Sequence, residues 1–165
     1  MARKLFVIGL NYYDTPYELS GCLNDIIDIE KAYANIGFVD VTRWVERSGN
    51  EPYKQATMES LSNWIKSSKS GDFLAFHYSG HGTQVPDING DELDGMDEAI
   101  CLLDGNVIDD DLKFTMVDQL PAGVKLRCFF DCCHSGTIVD LPYNWRASTS
   151  IFDHQSFLDE NPDHT

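Results

Sequence analysis

At 165 residues the chain has the length of one domain, enough to bury a core without metal or disulfide staples. Its 42% apolar and 24% charged residues match ordinary globular proteins and argue against a fibrous or disordered class. A net charge of -15 without a basic stripe argues against nucleic-acid binding and points instead to basic partners or cations.

No apolar run approaches the ~20 residues that span a bilayer, and the N-terminal Met-Ala-Arg-Lys leads straight into a strand-like segment. A cytoplasmic protein without membrane attachment is the expectation. Five cysteines without regular spacing suit reduced thiols better than a disulfide framework.

In chain order, Lys4 to Leu10 is a β-branched apolar run that reads as a buried strand. From Leu23, apolar Ile26, Ile27, Tyr33, Ala34 and Ile36 recur at helical spacing up to Gly37, a glycine suited to ending a helix. Val39 to Val45 alternates as a strand does, and Ala56, Met58, Leu61, Trp64 and Ile65 predict a second helix. Phe73 to His77 is almost wholly apolar, as in a central strand covered on both faces.

The stretch from Asp87 to Asp118 then carries Asp87, Asp91, Glu92, Asp94, Asp97, Glu98, Asp104, Asp109, Asp110, Asp111 and Asp118 against the one base Lys113. Asp109-Asp110-Asp111 is placed to cap a helix running through Leu120, and Lys125 to Phe130 gives a further strand. Alternating strands and helices predict an α/β fold: a mostly parallel sheet with helices on both faces, whose ligands gather at the carboxyl ends of the strands. Residues 1-147 form the predicted domain, and 148-165, polar and without period, read as a tail or linker.

Two glycine-bearing turns follow predicted buried strands: Tyr78-Ser79-Gly80-His81-Gly82 and Asp131-Cys132-Cys133-His134-Ser135-Gly136. A cysteine with a histidine about fifty residues upstream is one known nucleophile and base arrangement, though many Cys/His pairs arise by chance here. Lone Cys and His residues on separate strands lack the CxxC or HExxH spacing of zinc sites. Cys101, Cys128 and Cys132 read as small hydrophobes. His134 adjoins Cys133 and would point away from it in an extended turn, so His81 is the better partner. Asp87-Ile-Asn-Gly-Asp91 with Glu98 twelfth resembles the start of a calcium loop, but Glu92 stands where the required glycine belongs.

GCLND at 21-25, HYSGHG at 77-82, DELDGMDE at 91-98 and DCCHSG at 131-136, in order over most of the chain, resemble a metacaspase catalytic domain. The resemblance implies a caspase-like three-layer fold and a cysteine endopeptidase with Cys133 as nucleophile and His81 as acid/base partner. It implies an oxyanion hole from the backbone N–H groups of Gly82 and Cys133. It implies an acidic pocket for Arg or Lys at Asp25 and Asp131, with Cys22 and Ser79 at neighbouring pocket positions, so that basic peptides are the substrates. It further implies activating Ca2+ held by Asp97, Asp109, Asp110 and Asp140. The strands of the family's small subunit have no counterpart in the sequence pattern, so the peptidase reading allows for a small-subunit domain in trans, and the competing expectation is a non-catalytic caspase-like binding module or an inactive fragment needing a separate small subunit.

Overall fold

The structure, a computed structural model, describes residues 1-86 and 95-132, together with the backbone of short strands at 143-146 and 157-160. In chain order its elements are β1 (Arg3–Gly9), α1 (Cys22–Ala34), β2 (Asp40–Val45), α2 (Lys54–Lys66), β3 (Phe73–Ser79), β4 (Gly82–Pro86), β5 (Met96–Cys101), β6 (Asn106–Ile108), α3 (Asp109–Lys113), β7 (Lys125–Asp131), β8 (Tyr143–Arg146) and β9 (Phe157–Glu160). Strands β2, β1, β3 and β7 pair in that order, all parallel, as the alternation of strands and helices predicts.

Period-two alternation divides each strand between two faces. From β3, Leu74, Phe76 and Tyr78 join Phe6, Ile8, Leu61, Trp64 and Ile65 in a core beneath α2. Phe6 anchors that face, its ring 5.3 Å from Trp64 and 5.9 Å from Phe76. The opposite face buries Leu5, Val7, Ala75 and Phe38 against Ile26 of α1. Close approach of α1 to β1 depends on Gly9, where a Cβ would sit 2.6 Å from Ile26 Cγ1. With helices on both faces, the fold is the expected three-layer α/β sandwich.

Four departures from the sequence reading have physical causes. The acidic stretch, expected as loop, supplies β5 and β6, which complete an antiparallel sheet with β4 just before it. Its strand signal is masked because a carboxylate, Asp97 at 3% exposure, occupies an inward position of β5 where an apolar residue would announce a strand. The helix expected through Leu120 is a single turn of α3 that widens into a π-helical turn over Phe114–Asp118, burying Leu112 and Met116. β3 and β7 run on to Ser79 and Asp131, so Tyr78, Ser79 and Asp131 are strand residues rather than loop residues. In the tail, Phe157–Glu160 pairs antiparallel with Tyr143–Arg146, a strand that partner pairing creates without a period of its own.

Candidate active site

The site lies at the carboxyl end of β3 and its neighbour β7. Ser79 and Asp131 are register partners, the last paired row of the two strands. His81 follows Ser79 by two residues, and Cys133 follows Asp131 by two. Cys133, with His134 and Asp140, lies outside the described residues, as do 87-94 of the calcium-loop-like segment.

His81 sits where the chain leaves the parallel sheet and enters the β4–β5 hairpin. Its ring is half-buried, with Nε2 2.7 Å from the carbonyl oxygen of Tyr17. A carbonyl only accepts, so this contact selects the tautomer with the proton on Nε2 and leaves the Nδ1 lone pair for a base. The Tyr12 ring packs on the imidazole at 4.7 Å between centroids. Gly82, the expected oxyanion donor, opens β4 opposite Ile100.

Three of the four expected pocket residues share electrostatic surroundings with the fourth. Cys22, the first residue of α1, is buried, and its amide donates to Asn11 Oδ1 at 3.0 Å. Burial pushes the Cys22 thiol up, contact with the Ser79 hydroxyl offsets part of this, and the carboxylates of Asp25 and Asp131 push it further up. Asp25 and Asp131 are exposed while Cys22 and Ser79 are buried, so the two carboxylates that act on Cys22 face solvent and the thiol and hydroxyl do not. Beneath Ser79 on the same face of β3 lies His77, 1% exposed, stacked on Phe129 at 5.3 Å. Burial draws its pKa down to about 4, against the opposing pull of Asp25, so the imidazole is neutral at pH 7.

The other cysteines match the hydrophobic reading. Cys101, Cys128 and Cys132 pack against the α2-side core, and burial pushes the Cys128 thiol up to about 12, which keeps it protonated. No disulfide joins the described cysteines.

Among the expected calcium ligands, Asp97 and Asp109 are 3% and 2% exposed and Asp110 is half-buried. Ala99 of β5 pairs with Ile108, and continuing that antiparallel register leads from Asp97 toward Asp109 and Asp110. Carboxylates withdrawn from water this far suit a hard divalent cation in donor chemistry. One Asp109 oxygen accepts the Asp110 amide at 2.9 Å. Among the described residues no three His, Cys, Asp or Glu side chains converge into a finished metal site.

Sequence reasoning missed the supports behind these residues. Glu46, 8% exposed, accepts the amides of Asn11, Tyr12 and Tyr13 at 2.8, 2.7 and 2.9 Å. It thereby fixes the loop that carries both the α1 anchor Asn11 and the ring partner of His81. The only hint lay in a glutamate placed just after a strand, which is not specific. Tyr78 stands inside HYSGHG, yet a tyrosine there reads equally well as core.

Residues 3-142 match the family described as metacaspase, peptidase C14 domain. The chain is 40% identical to Metacaspase-1 of Coccidioides immitis over 151 residues, covering 86% of this chain and 33% of that protein. It is 39% identical to Metacaspase-1 of Schizosaccharomyces pombe, covering 87% of this chain and 36% of the relative, so it spans about a third of these curated relatives. A crystal structure of a protein from Geobacter sulfurreducens superposes with a TM-score of 0.69 at 34% identity, over 84% of this chain and 53% of the other. Among the described residues no helix is long and apolar enough to cross a membrane.

Proposed function

Because the chain belongs to the metacaspase family of C14 peptidases, we propose that it cleaves peptide bonds after Arg or Lys, with Cys133 as nucleophile and His81 as acid/base partner. The observation that carries this is the shared row Ser79 and Asp131 at the ends of adjacent parallel strands: in the sequence, His81 and Cys133 each follow that row by two residues. The Nε2 tautomer set by the Tyr17 carbonyl leaves Nδ1 to take the thiol proton. The thiolate attacks the scissile carbonyl and a C–S bond forms. The amide N–H groups of Gly82 and Cys133 receive the charge that develops on the carbonyl oxygen. Collapse breaks the C–N bond as His81 returns its proton to the leaving amine. His81 then deprotonates water, which releases the acyl group and restores the thiol.

The exposed carboxylates of Asp25 and Asp131, close to buried Cys22, suit a guanidinium or ammonium side chain on the residue before the cut. Asp97, Asp109 and Asp110, with Asp140, are the residues that would hold Ca2+, which would supply positive charge to an acidic segment that otherwise repels itself. A reducing cytoplasm suits a thiolate nucleophile, and basic peptides are the substrates, with a small-subunit domain as partner.

Turnover of fluorogenic peptides ending in Arg, Lys or Asp, with calcium or chelator, tests the proposal. Hydrolysis of the Arg and Lys peptides alone, dependent on calcium and abolished in Cys133→Ala, is the expected result. Equal turnover by Cys133→Ala, or preference for the Asp peptide, contradicts it. No turnover by the unmodified chain favours a binding module instead.

A further inference from the structure

Gly80 and His81 join the two sheets, β3 ending at Ser79 and β4 beginning at Gly82, with the Gly80 N–H donating to the Asp131 carbonyl of β7 at 3.4 Å. The peptide groups of His81 therefore need partners from elsewhere, since buried amides and carbonyls left unpaired are costly. Two phenols from different parts of the chain supply them, alongside the Cys101 N–H of β5. The His81 N–H donates to Tyr12 Oη at 2.7 Å, and Tyr78 Oη donates to the His81 carbonyl at 2.7 Å. Tyr12 Oη in turn donates to the Cys101 carbonyl at 2.7 Å, and the Cys101 N–H donates to the same His81 carbonyl at 3.0 Å. The two hydroxyl oxygens stand 3.1 Å apart, with both their protons committed to carbonyls.

Three further observations mark this arrangement as specific. Tyr12 and Tyr78 are 7% and 0% exposed, so their hydroxyls have no water to fall back on. Tyr12 holds a left-handed backbone, φ 54°, within the loop that the Glu46 carboxylate clamps, and it does so while presenting both its ring and its hydroxyl to His81. At Gly80 a Cβ would lie 2.7 Å from both phenol oxygens, so the glycine of HYSGHG is needed for the hydroxyls to meet there.

We propose that Tyr12 and Tyr78 are positioning residues of the peptidase: they grip the His81 peptide from both sides and thereby fix the histidine against the Tyr17 carbonyl. This rests on the reading of His81 as the acid/base partner. Neither tyrosine touches the reacting atoms; Tyr12 acts through the His81 amide and ring, and Tyr78 through the His81 carbonyl. The β1 loop, the end of β3 and strand β5 are thus tied together at a single residue.

The test uses the 165-residue chain with 15N-labelled histidine in the Cys133→Ala background, and the same tyrosine variants with Cys133 intact. In Tyr12→Phe the ring-nitrogen signals of His81 should shift from the Nε2–H tautomer toward the mixture of a free histidine, while those of His77 stay in place. With Cys133 intact, kcat on an arginine peptide should fall roughly tenfold, the effect of one lost hydrogen bond, with KM within about twofold. Gly80→Ala, which wedges the hydroxyls apart, should give the same His81 signature.

Should Tyr12→Phe fail to fold, Tyr78→Phe carries the comparison, because the His81 carbonyl then keeps the Cys101 N–H. A folded Tyr12→Phe or Tyr78→Phe chain with unaltered His81 signals overturns the proposal. If the unmodified chain hydrolyses nothing, the peptidase reading fails separately, and the nitrogen signals still decide whether the tyrosines position His81.

Discussion

The two faces of strand β3 differ in kind. Toward α2 it presents Leu74, Phe76 and Tyr78 to an apolar core; toward α1 it presents Ala75, then His77 and Ser79, so that this face turns polar as it nears the carboxyl end. One face stores stability, and the other gives up part of it to hold titratable groups next to Cys22, Asp25 and Asp131. The difference follows from chemistry: burying aromatic area is favourable, whereas burying an imidazole and a hydroxyl without strong hydrogen-bond partners is not.

Substitutions on the two faces sharpen or break this contrast. Phe76→Ala, on the α2 face and packed between Phe6 and Phe130, should cost the most, about 4 kcal/mol by denaturant unfolding. Glu46→Ala leaves three amides of the 11-13 loop without their charged acceptor and should cost roughly 3 kcal/mol. A crystal structure of that variant should show the Tyr12 ring moved away from the His81 imidazole.

His77 makes the α1 face sensitive to acid. Its folded pKa, about 4, lies below the ordinary value of 6.5, so between these the unfolded chain binds a proton that the native one refuses. Its contribution is complete above pH 6.5 and is lost as pH falls toward 4, by roughly 3 kcal/mol. His77→Phe, which keeps a ring on Phe129, should flatten stability across that window; an unchanged slope would mean that another group titrates there.

Smaller effects are expected at the rim. Asp25→Asn should weaken kcat/KM for an arginine peptide roughly tenfold to a hundredfold while leaving unfolding nearly unchanged. Ser79→Ala should alter stability by less than about 1 kcal/mol, since among the described residues its hydroxyl meets only the weakly bonding Cys22 thiol. A large loss of stability at Ser79 would show that the two faces are not divided as described.

Much of this contrast was legible in the sequence. The runs KLFVIGL and FLAFH are buried strands because their apolar β-formers leave little choice, and HYSGHG and DCCHSG stand out because several chemically demanding residues fall in fixed order. The β4–β5–β6 sheet was not legible, because its inward position at Asp97 carries a charge and so erases the alternation that reveals strands. Glu46 and Tyr12 were hidden for another reason: their roles depend on backbone amides and on a left-handed φ, neither of which leaves a pattern in residue type.

The central claim, a nucleophile at Cys133 served by His81, is tested most directly by covalent trapping. The chain is incubated with an arginyl chloromethyl ketone and calcium, and the modified peptide is identified by mass spectrometry. A single adduct on Cys133, formed at least about a hundredfold more slowly in His81→Ala, is the predicted result. Label spread over Cys22, Cys101 and Cys132, or a Cys133 adduct formed at the same rate without His81, would contradict it.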